Sequence, residues 1–407
     1  MRLLEINATC NWGSTGRIVE NICDYAASHG WDCFYAHGAR YVNDSKYNTY
    51  QVGSKKDNYI HILYSLATGR HGLASKDNTR ELIRYIASIR PDIIHLHNIH
   101  GYYLNYYILF EYLNSEPIPV VWTLHDCWAF TGHCTHFDHI GCNQWKQECC
   151  HCPLKHFDYK SLLFDRSTEN FRLKKEVFTK HPNLTIVAVS NWLSQKAKES
   201  FLGVYPIRTI YNGVDTSVFK YQSSNIKEKF GIIDKKMLLA VATDWDKNKG
   251  LNDYIALSRI LPDDYKILMV GVSPKVKKQL PSSIISIERT HDISMLVDLY
   301  SAAEMVLNLS YLETFGLTTV EGMACGTPSI VYNKTASPEL ITPETGIVVE
   351  AGNVECVLQS ILKISRNGKS YYSKKCINRV LQYFNKSKSY NEYIDIFNEK
   401  SNNIRNV

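Results

Sequence analysis

The sequence predicts an α/β protein of two domains, each built on an open parallel sheet. Three observations carry that expectation. Short runs rich in Val, Ile and Leu recur along the whole chain, with longer helix-forming stretches between them, the alternation that parallel crossovers require. The runs hold few polar interruptions, as strands buried on both faces do. And 407 residues are too many for one hydrophobic core but comfortable for two.

Taken in order, strands in the first half are expected at Leu3–Asn7, Asp32–His37, Asp92–His97, Pro119–His125 and Leu184–Ser190. After the first of them, Gly13, Ser14, Gly16 and Arg17 open a helix that runs to His29. The chain breaks near Val204–Pro206, and IRTIYNGVDTSVF leads into a second set at Met237–Thr243, Lys266–Gly271, Glu304–Ser310 and Pro328–Tyr332. Between the last two, Leu317 to Cys325 have the composition of a short helix, and another helix is expected around Ser387–Lys400. The expected domains are therefore residues 1–205, carrying a cysteine-rich insert at 127–153, and residues 206–386. A C-terminal helix at 387–407 is expected to cross back to the first domain. In such sheets ligands bind at the carboxyl ends of the strands, here in a cleft between the domains.

Composition excludes several classes of function. A formal charge of +6 suits contact with phosphates or an anionic membrane face, but is too small to argue for duplex nucleic acid, so no nucleic-acid partner is expected. No apolar run approaches the ~18 residues of a membrane-spanning helix. The N-terminus turns polar after one strand and lacks the apolar core of a signal peptide. A cytoplasmic protein is expected, with membrane contact limited to the periphery of the inner face.

The most informative stretch is ETFGLTTVEGMACGTPSIVYN, in which Glu313 and Glu321 stand eight positions apart. A strand, a turn at Gly316 and a helix N-terminus make a ready anion site, because free backbone N–H groups converge with the positive end of the helix dipole. Carboxylates on either side of that site suit a ligand with phosphates in its middle and sugars at both ends. The run closely resembles the donor-binding signature of the retaining glycosyltransferases of family 4, which share the two-domain GT-B fold. The resemblance implies that Glu313 contacts the transferred sugar, that Glu321 binds the ribose, and that amides beside Phe315, Gly316 and Leu317 hold the diphosphate.

Other segments extend the resemblance. In VATDWDKNKGLNDY, Lys249 followed by Gly250 is similar to the family's diphosphate-binding turn; the arginine usually found about six residues earlier is Thr243 here, and Lys247 is a candidate substitute. Gly271, ending KILMVG, matches a position of close backbone approach to the nucleotide. The loop NATCNWGSTGR places Gly13, Gly16 and Arg17 at the end of the first strand, where relatives face the donor phosphate and acceptor. His125, ending VVWTLH, corresponds to a histidine that hydrogen-bonds a donor-sugar hydroxyl; for His95, His97 and His100 a structural role is the better reading. TIYNGVD, with Asn212, Gly213 and Asp215, reads as a hinge. The activity implied is transfer, with retention, of a hexose from a UDP- or GDP-linked donor to a glycan or lipid-linked acceptor, as in capsule, exopolysaccharide or lipopolysaccharide synthesis. No cofactor is expected for catalysis. Two alternatives stand: another GT-B enzyme, such as a nucleotide-sugar epimerase or a phosphorylase, and a non-catalytic sugar-binding or scaffold protein with a zinc-knuckle module.

Six of the twelve cysteines crowd into HDCWAFTGHCTHFDHIGCNQWKQECCHCP. In a cytoplasmic chain that reads as metal binding before disulfides. Cys149 and Cys152 have the two-residue spacing of a zinc knuckle, and Cys134 and Cys142 could complete a tetrahedral set, with His133, His136 and His139 as alternative ligands. The insert is polar and irregular and is expected to have little core of its own, a deficit that a structural zinc would offset.

Overall fold

The computed structural model describes residues 1–290 and 292–405, with side chains through Ser401. It divides into two units, one formed by Met1–Ile210 with the segment from Tyr390 onward, the other by Tyr211–Ser389. Each is a parallel sheet with helical crossovers, the two Rossmann-like sheets that the sequence predicts.

The first sheet has seven strands: β1 (Arg2–Asn7), β2 (Asp32–Gly38), β3 (Asn48–Val52), β4 (Ile93–Leu96), β5 (Val120–Leu124), β6 (Leu184–Ala188) and β7 (Ile207–Thr209). Their spatial order is β3-β2-β1-β4-β5-β6-β7, every pairing parallel. The second has six: β8 (Lys236–Val241), β9 (Tyr265–Val270), β10 (Ile284–Ile287), β11 (Met305–Asn308), β12 (Ser329–Tyr332) and β13 (Gly346–Val349), in the order β10-β9-β8-β11-β12-β13. The winding direction reverses between β1 and β4 in one sheet, and between β8 and β11 in the other. At such switch points the loops leaving two neighbouring strands diverge and leave a crevice. β4, β5 and β6 are buried at every position, which is why they read as mainly apolar runs with a single polar residue each, His95, Thr123 and Thr185.

Four strands were not anticipated: β3, β7, β10 and β13. All are sheet edges. β3 reads exposed, exposed, half-buried, exposed, buried, and β7 has only three residues, so neither presents the apolar run that marked the central strands. From Tyr390 onward the C-terminal helix, Lys386–Arg405, packs within the first unit: Tyr393 and Phe397 lie 5.2 and 5.3 Å, ring to ring, from His95, and Arg208 pairs with Glu399 at 2.6 Å.

The cysteine-rich insert departs from expectation in having a core. Phe130, Phe137 and Trp145 are all buried, with Trp145 stacked on Phe137 at 4.8 Å and tilted against Phe130 at 5.5 Å. The three aromatics are too widely spaced to form a periodic signal, and only short 3-10 turns connect them.

Candidate functional site

In the second unit the loops leaving β8 and β11 meet at the switch point. Gly250 sits in the left-handed region (φ 73°), and a Cβ there would lie 2.2 Å from the Leu309 carbonyl oxygen, so the two loops approach backbone to backbone. That approach brings Lys249 to Glu313: its ammonium donates to Glu313 Oε1 at 2.7 Å. Asp246 fixes the turn by accepting the Lys249 backbone N–H at 2.9 Å. The Glu313 loop is clipped to the segment after β12, since Glu313 N–H donates to Thr335 Oγ1 (2.9 Å) and Ala336 N–H to the Glu313 carbonyl (3.2 Å).

The helix that follows, Leu317–Ala324, starts from Gly316 at φ 106°; the Thr319 N–H donates back to the Gly316 carbonyl at 3.1 Å, leaving the amides of Leu317 and Thr318 at its open end. Phe315 turns its ring into the core, 5.9 Å from Tyr211 and 5.8 Å from Phe384, so only its backbone is available to a ligand. Glu321, just over one turn into that helix, accepts from the buried Tyr300 hydroxyl at 2.8 Å. Gly271 stands at the end of β9 with φ 88°; a Cβ there would fall 1.7 Å from the Ala242 carbonyl oxygen. Thr243, where an arginine was expected, is exposed.

One Asp-x-Asp triplet, Asp244-Trp245-Asp246, occurs in the β8 loop. Its carboxylates fix the turn. Asp244 accepts from the Trp245 N–H and Asp246 from the Lys249 N–H, both at 2.9 Å.

In the first unit, Gly13 opens the Gly13–Ser28 helix, and Gly16 packs it against the β1 loop, where a Cβ would meet Thr9 Oγ1 at 2.9 Å. Arg17 is exposed one residue on. His125 follows β5, and the structure links it to groups the sequence left apart. Its Nε2 lies 2.9 Å from His97 Nδ1, and His97 Nε2 lies 2.7 Å from Glu5 Oε2. The other Glu5 oxygen is 3.0 Å from His95 Nδ1, and His95 Nε2 is 2.8 Å from Thr123 Oγ1. Glu5 and His95 are register partners on β1 and β4, and both, with His97, are fully buried.

Burial pushes His95, His97 and His125 each down to about 3, so the rings are neutral near pH 7. Burial also raises the Glu5 carboxyl, while His97 pulls it back. With Glu5 accepting from both neighbours, His97 donates at Nε2 and accepts at Nδ1. His125 therefore carries its proton on Nε2 and keeps Nδ1 as an acceptor. Beside it, burial would raise Asp126, but His100 and the Trp128 N–H (2.8 Å) outweigh it and hold the carboxyl at about 2. His100 Nε2 is 2.9 Å from Asp126 Oδ2 but poorly angled for a hydrogen bond. Sequence reasoning missed Glu5. The signal was present, since an acid inside the apolar strand LLEIN demands buried partners.

The insert brings only part of its cysteine set together. Cys134 and Cys152 interact sulfur to sulfur, which raises Cys134 and, against burial and with help from His133, holds Cys152 down at about 5; the Cys149 sulfur accepts the Gly132 N–H at 3.3 Å. Among the described residues, the group whose ligand atoms all lie within 4.8 Å is Glu5, His95 and His97, whereas Cys134, Cys142, Cys149 and Cys152 do not reach that spacing as a set.

Sequence profiles described as "Glycosyltransferase Family 4" and "Glycosyl transferases group 1" match residues 15–218 and 222–380. The chain is 25% identical over 294 residues to the putative colanic acid biosynthesis glycosyl transferase WcaC of Escherichia coli K12, covering 69% of this chain and 70% of that one. It is 25% identical over 202 residues to the O-antigen chain mannosyltransferase RfbU of Salmonella typhimurium, covering 46% and 52%. Among solved structures, sucrose-phosphate synthase from Thermosynechococcus elongatus superposes with a TM-score of 0.73 at 15% identity, over 98% of this chain and 99% of that one. Anabaena HepE in complex with UDP-glucose superposes at 0.67 with 14% identity, over 98% and 100%. At that identity the likeness of the solved structures is one of fold, the GT-B fold.

Proposed function

Because the chain belongs to glycosyltransferase family 4, we propose that it transfers a hexose, with retention, from a UDP- or GDP-linked donor to a glycan or lipid-linked oligosaccharide in surface polysaccharide synthesis. The observation that supports this best is the Lys249–Glu313 contact at the β8/β11 switch point, beside the amides that follow Gly316. A cation, a carboxylate and free amides gathered there match the diphosphate and adjoining sugar of such a donor.

Cleavage of the anomeric C–O bond puts negative charge on the departing diphosphate and oxocarbenium character on the sugar. Lys249, the Leu317 end of its helix and Arg17 are the proposed stabilisers of the leaving group, acting through preorganised charge. Gly13, Gly16, Gly250 and Gly271 let backbone come close to the ligand. Glu313 is assigned to sugar hydroxyls, Glu321 to the ribose, and neutral His125 to a hydroxyl of the donor sugar, whose proton its Nδ1 can accept. The leaving phosphate is the proposed acceptor of the nucleophile's proton.

The insert is proposed to hold a structural zinc through Cys134, Cys142, Cys149 and Cys152, although the sulfurs stand wider than ligand spacing. Charge favours it. Lys174 is fully buried with its Nζ on the carbonyls of Trp128 (2.7 Å) and Thr131 (3.1 Å); burial pushes it well below the usual lysine range, and Cys134 and Cys149 are among the groups that oppose that shift. Four thiolates on one divalent ion leave net negative charge beside it. Elemental analysis of the purified protein decides the point: less than one zinc per two chains ends it.

Release of UDP or GDP across a panel of nucleotide-sugars, with the product's anomeric configuration read by NMR, tests the main reading. Release that depends on one donor and disappears in Glu313→Ala supports it. Release from no donor would favour a sugar-binding protein, and an inverted anomer would overturn retention.

A further inference from the structure

On the first unit, the helix Lys55–Thr68 turns an apolar stripe outward. Lys55, Lys56, Tyr59, Ile60, Leu63 and Ala67 are all exposed, at spacings that put them on one face. The loop 157–164 lies beside the end of that helix, joined to it by the Leu162 N–H on the Leu66 carbonyl at 2.9 Å. Gly69 is packed so closely on the same loop that a Cβ would lie 2.9 Å from the Phe164 carbonyl oxygen. The loop adds Leu162, Leu163, Phe164 and Phe157 to the surface. Tyr59, Ile60, Leu63, Leu162 and Leu163 are each between 61% and 70% exposed, and the two phenylalanines about half. Scattered apolar residues on a surface need no explanation, but seven large ones on two adjoining segments do.

Cations surround this surface. Lys55 and Lys56 head the stripe, and Arg70 and Lys160 are exposed beside it, with Lys155 half-buried. The acids within or next to these two segments are engaged elsewhere: Asp57 closes the capping box with Ser54, Asp158 accepts from the Thr135 amide and hydroxyl, and Asp165 from the Cys152 and Ser167 amides. An apolar stripe headed by lysines is the chemistry of a helix lying in a membrane interface, its side chains among acyl chains and its ammonium groups on lipid phosphates. A second copy of the chain fits less well, because an isologous contact would set the same lysines against each other.

We propose that this face docks on an anionic lipid bilayer. The inference goes beyond the transfer reaction and does not depend on it, since none of these residues belongs to the proposed donor or sugar contacts. Docking would hold the enzyme where a lipid-linked acceptor is presented.

The test is co-sedimentation of the full chain with vesicles of phosphatidylglycerol and phosphatidylcholine, against phosphatidylcholine alone, without nucleotide-sugar. The expected result is binding to the anionic vesicles that falls at least tenfold between 50 and 500 mM salt. Ile60→Glu with Leu163→Glu, and separately Lys55→Glu with Lys56→Glu, should each weaken it tenfold or more while thermal unfolding and donor hydrolysis stay unchanged. Binding that is absent, or equal in wild type and both variants, overturns the proposal. A wild-type dimer that the Ile60→Glu, Leu163→Glu variant dissociates overturns it too, assigning the face to contact between copies. Donor hydrolysis, read in the same preparations, reports separately on the transfer reaction.

Discussion

Lys249 and Glu313 pair at 2.7 Å, and both side chains are partly exposed, at 34% and 16%. Removing either should therefore change stability by under ~1 kcal/mol. The effect on turnover should be larger, because in the proposed reaction Lys249 would face charge that develops only as the diphosphate leaves. Lys249→Ala is expected to lower nucleotide release by on the order of 100-fold with little change in melting temperature. A melting shift matching the loss of rate would make the lysine structural instead. Glu5→Gln asks a different question. A carboxamide can accept from only one of the two histidines and donates to the other, so when its NH2 faces His97 the proton pattern reverses through to His125. Turnover should fall by roughly tenfold or more at unchanged donor KM, with the change of tautomer visible in the 15N shifts of the His125 ring. Unaltered 15N shifts alongside lost activity would confine Glu5 to packing.

At the scale of elements, the central strands and the helix after Gly316 were legible because their signal is local: an apolar run, or a glycine beside a helix former. The edge strands were not, since β3 and β7 bury too little to be apolar, and their pairing comes from a neighbour that the sequence places elsewhere. Gly271 shows how tightly the element ends are fitted. A methyl group there collides with the Ala242 carbonyl and also strains a φ of 88°. Gly271→Ala should cost more than ~1 kcal/mol, read as a lower urea midpoint at unchanged m-value. In the insert, Trp145 and Phe137 supply the core that polar composition concealed. Trp145→Ala is expected to unfold the insert, seen as new protease sensitivity between residues 127 and 153, while the second unit stays as protease-resistant as in the wild type.

Across the whole molecule, buried neutral histidines couple stability to pH. His71, His95, His97 and His125 are pushed down to about 3 by burial, and His61 and His181 to about 4. Their folded values lie below the unfolded one, so between pH 4 and 6.5 the unfolded chain binds more protons. Their contribution is full above pH 6.5 and is lost as pH falls; Glu5, whose carboxyl burial raises, opposes it. The urea midpoint should drop between pH 7 and pH 5, by about 1.4 kcal/mol of stability per pH unit for each extra proton the unfolded chain takes up. A flat midpoint would mean that these histidines are not held neutral. The correct donor should stabilise the chain in a thermal-shift screen, by about 2.7 kcal/mol at a hundred times its Kd.

The sequence by itself determined the sheet architecture and the strand–turn–helix around Gly316, because both are written in contiguous residues: apolar runs set strands, and Glu313 to Glu321 lie within one turn and the helix that follows it. The tertiary structure decided what sequence distance hides. Glu5 and His97 are 92 positions apart and His97 and His125 are 28 apart, so their link exists only once β1, β4 and β5 lie side by side. The outward stripe of Lys55–Thr68 was equally undecided, since a helical pattern marks an apolar face without saying whether the fold covers it. Here the fold leaves that face open and places a second apolar segment next to it.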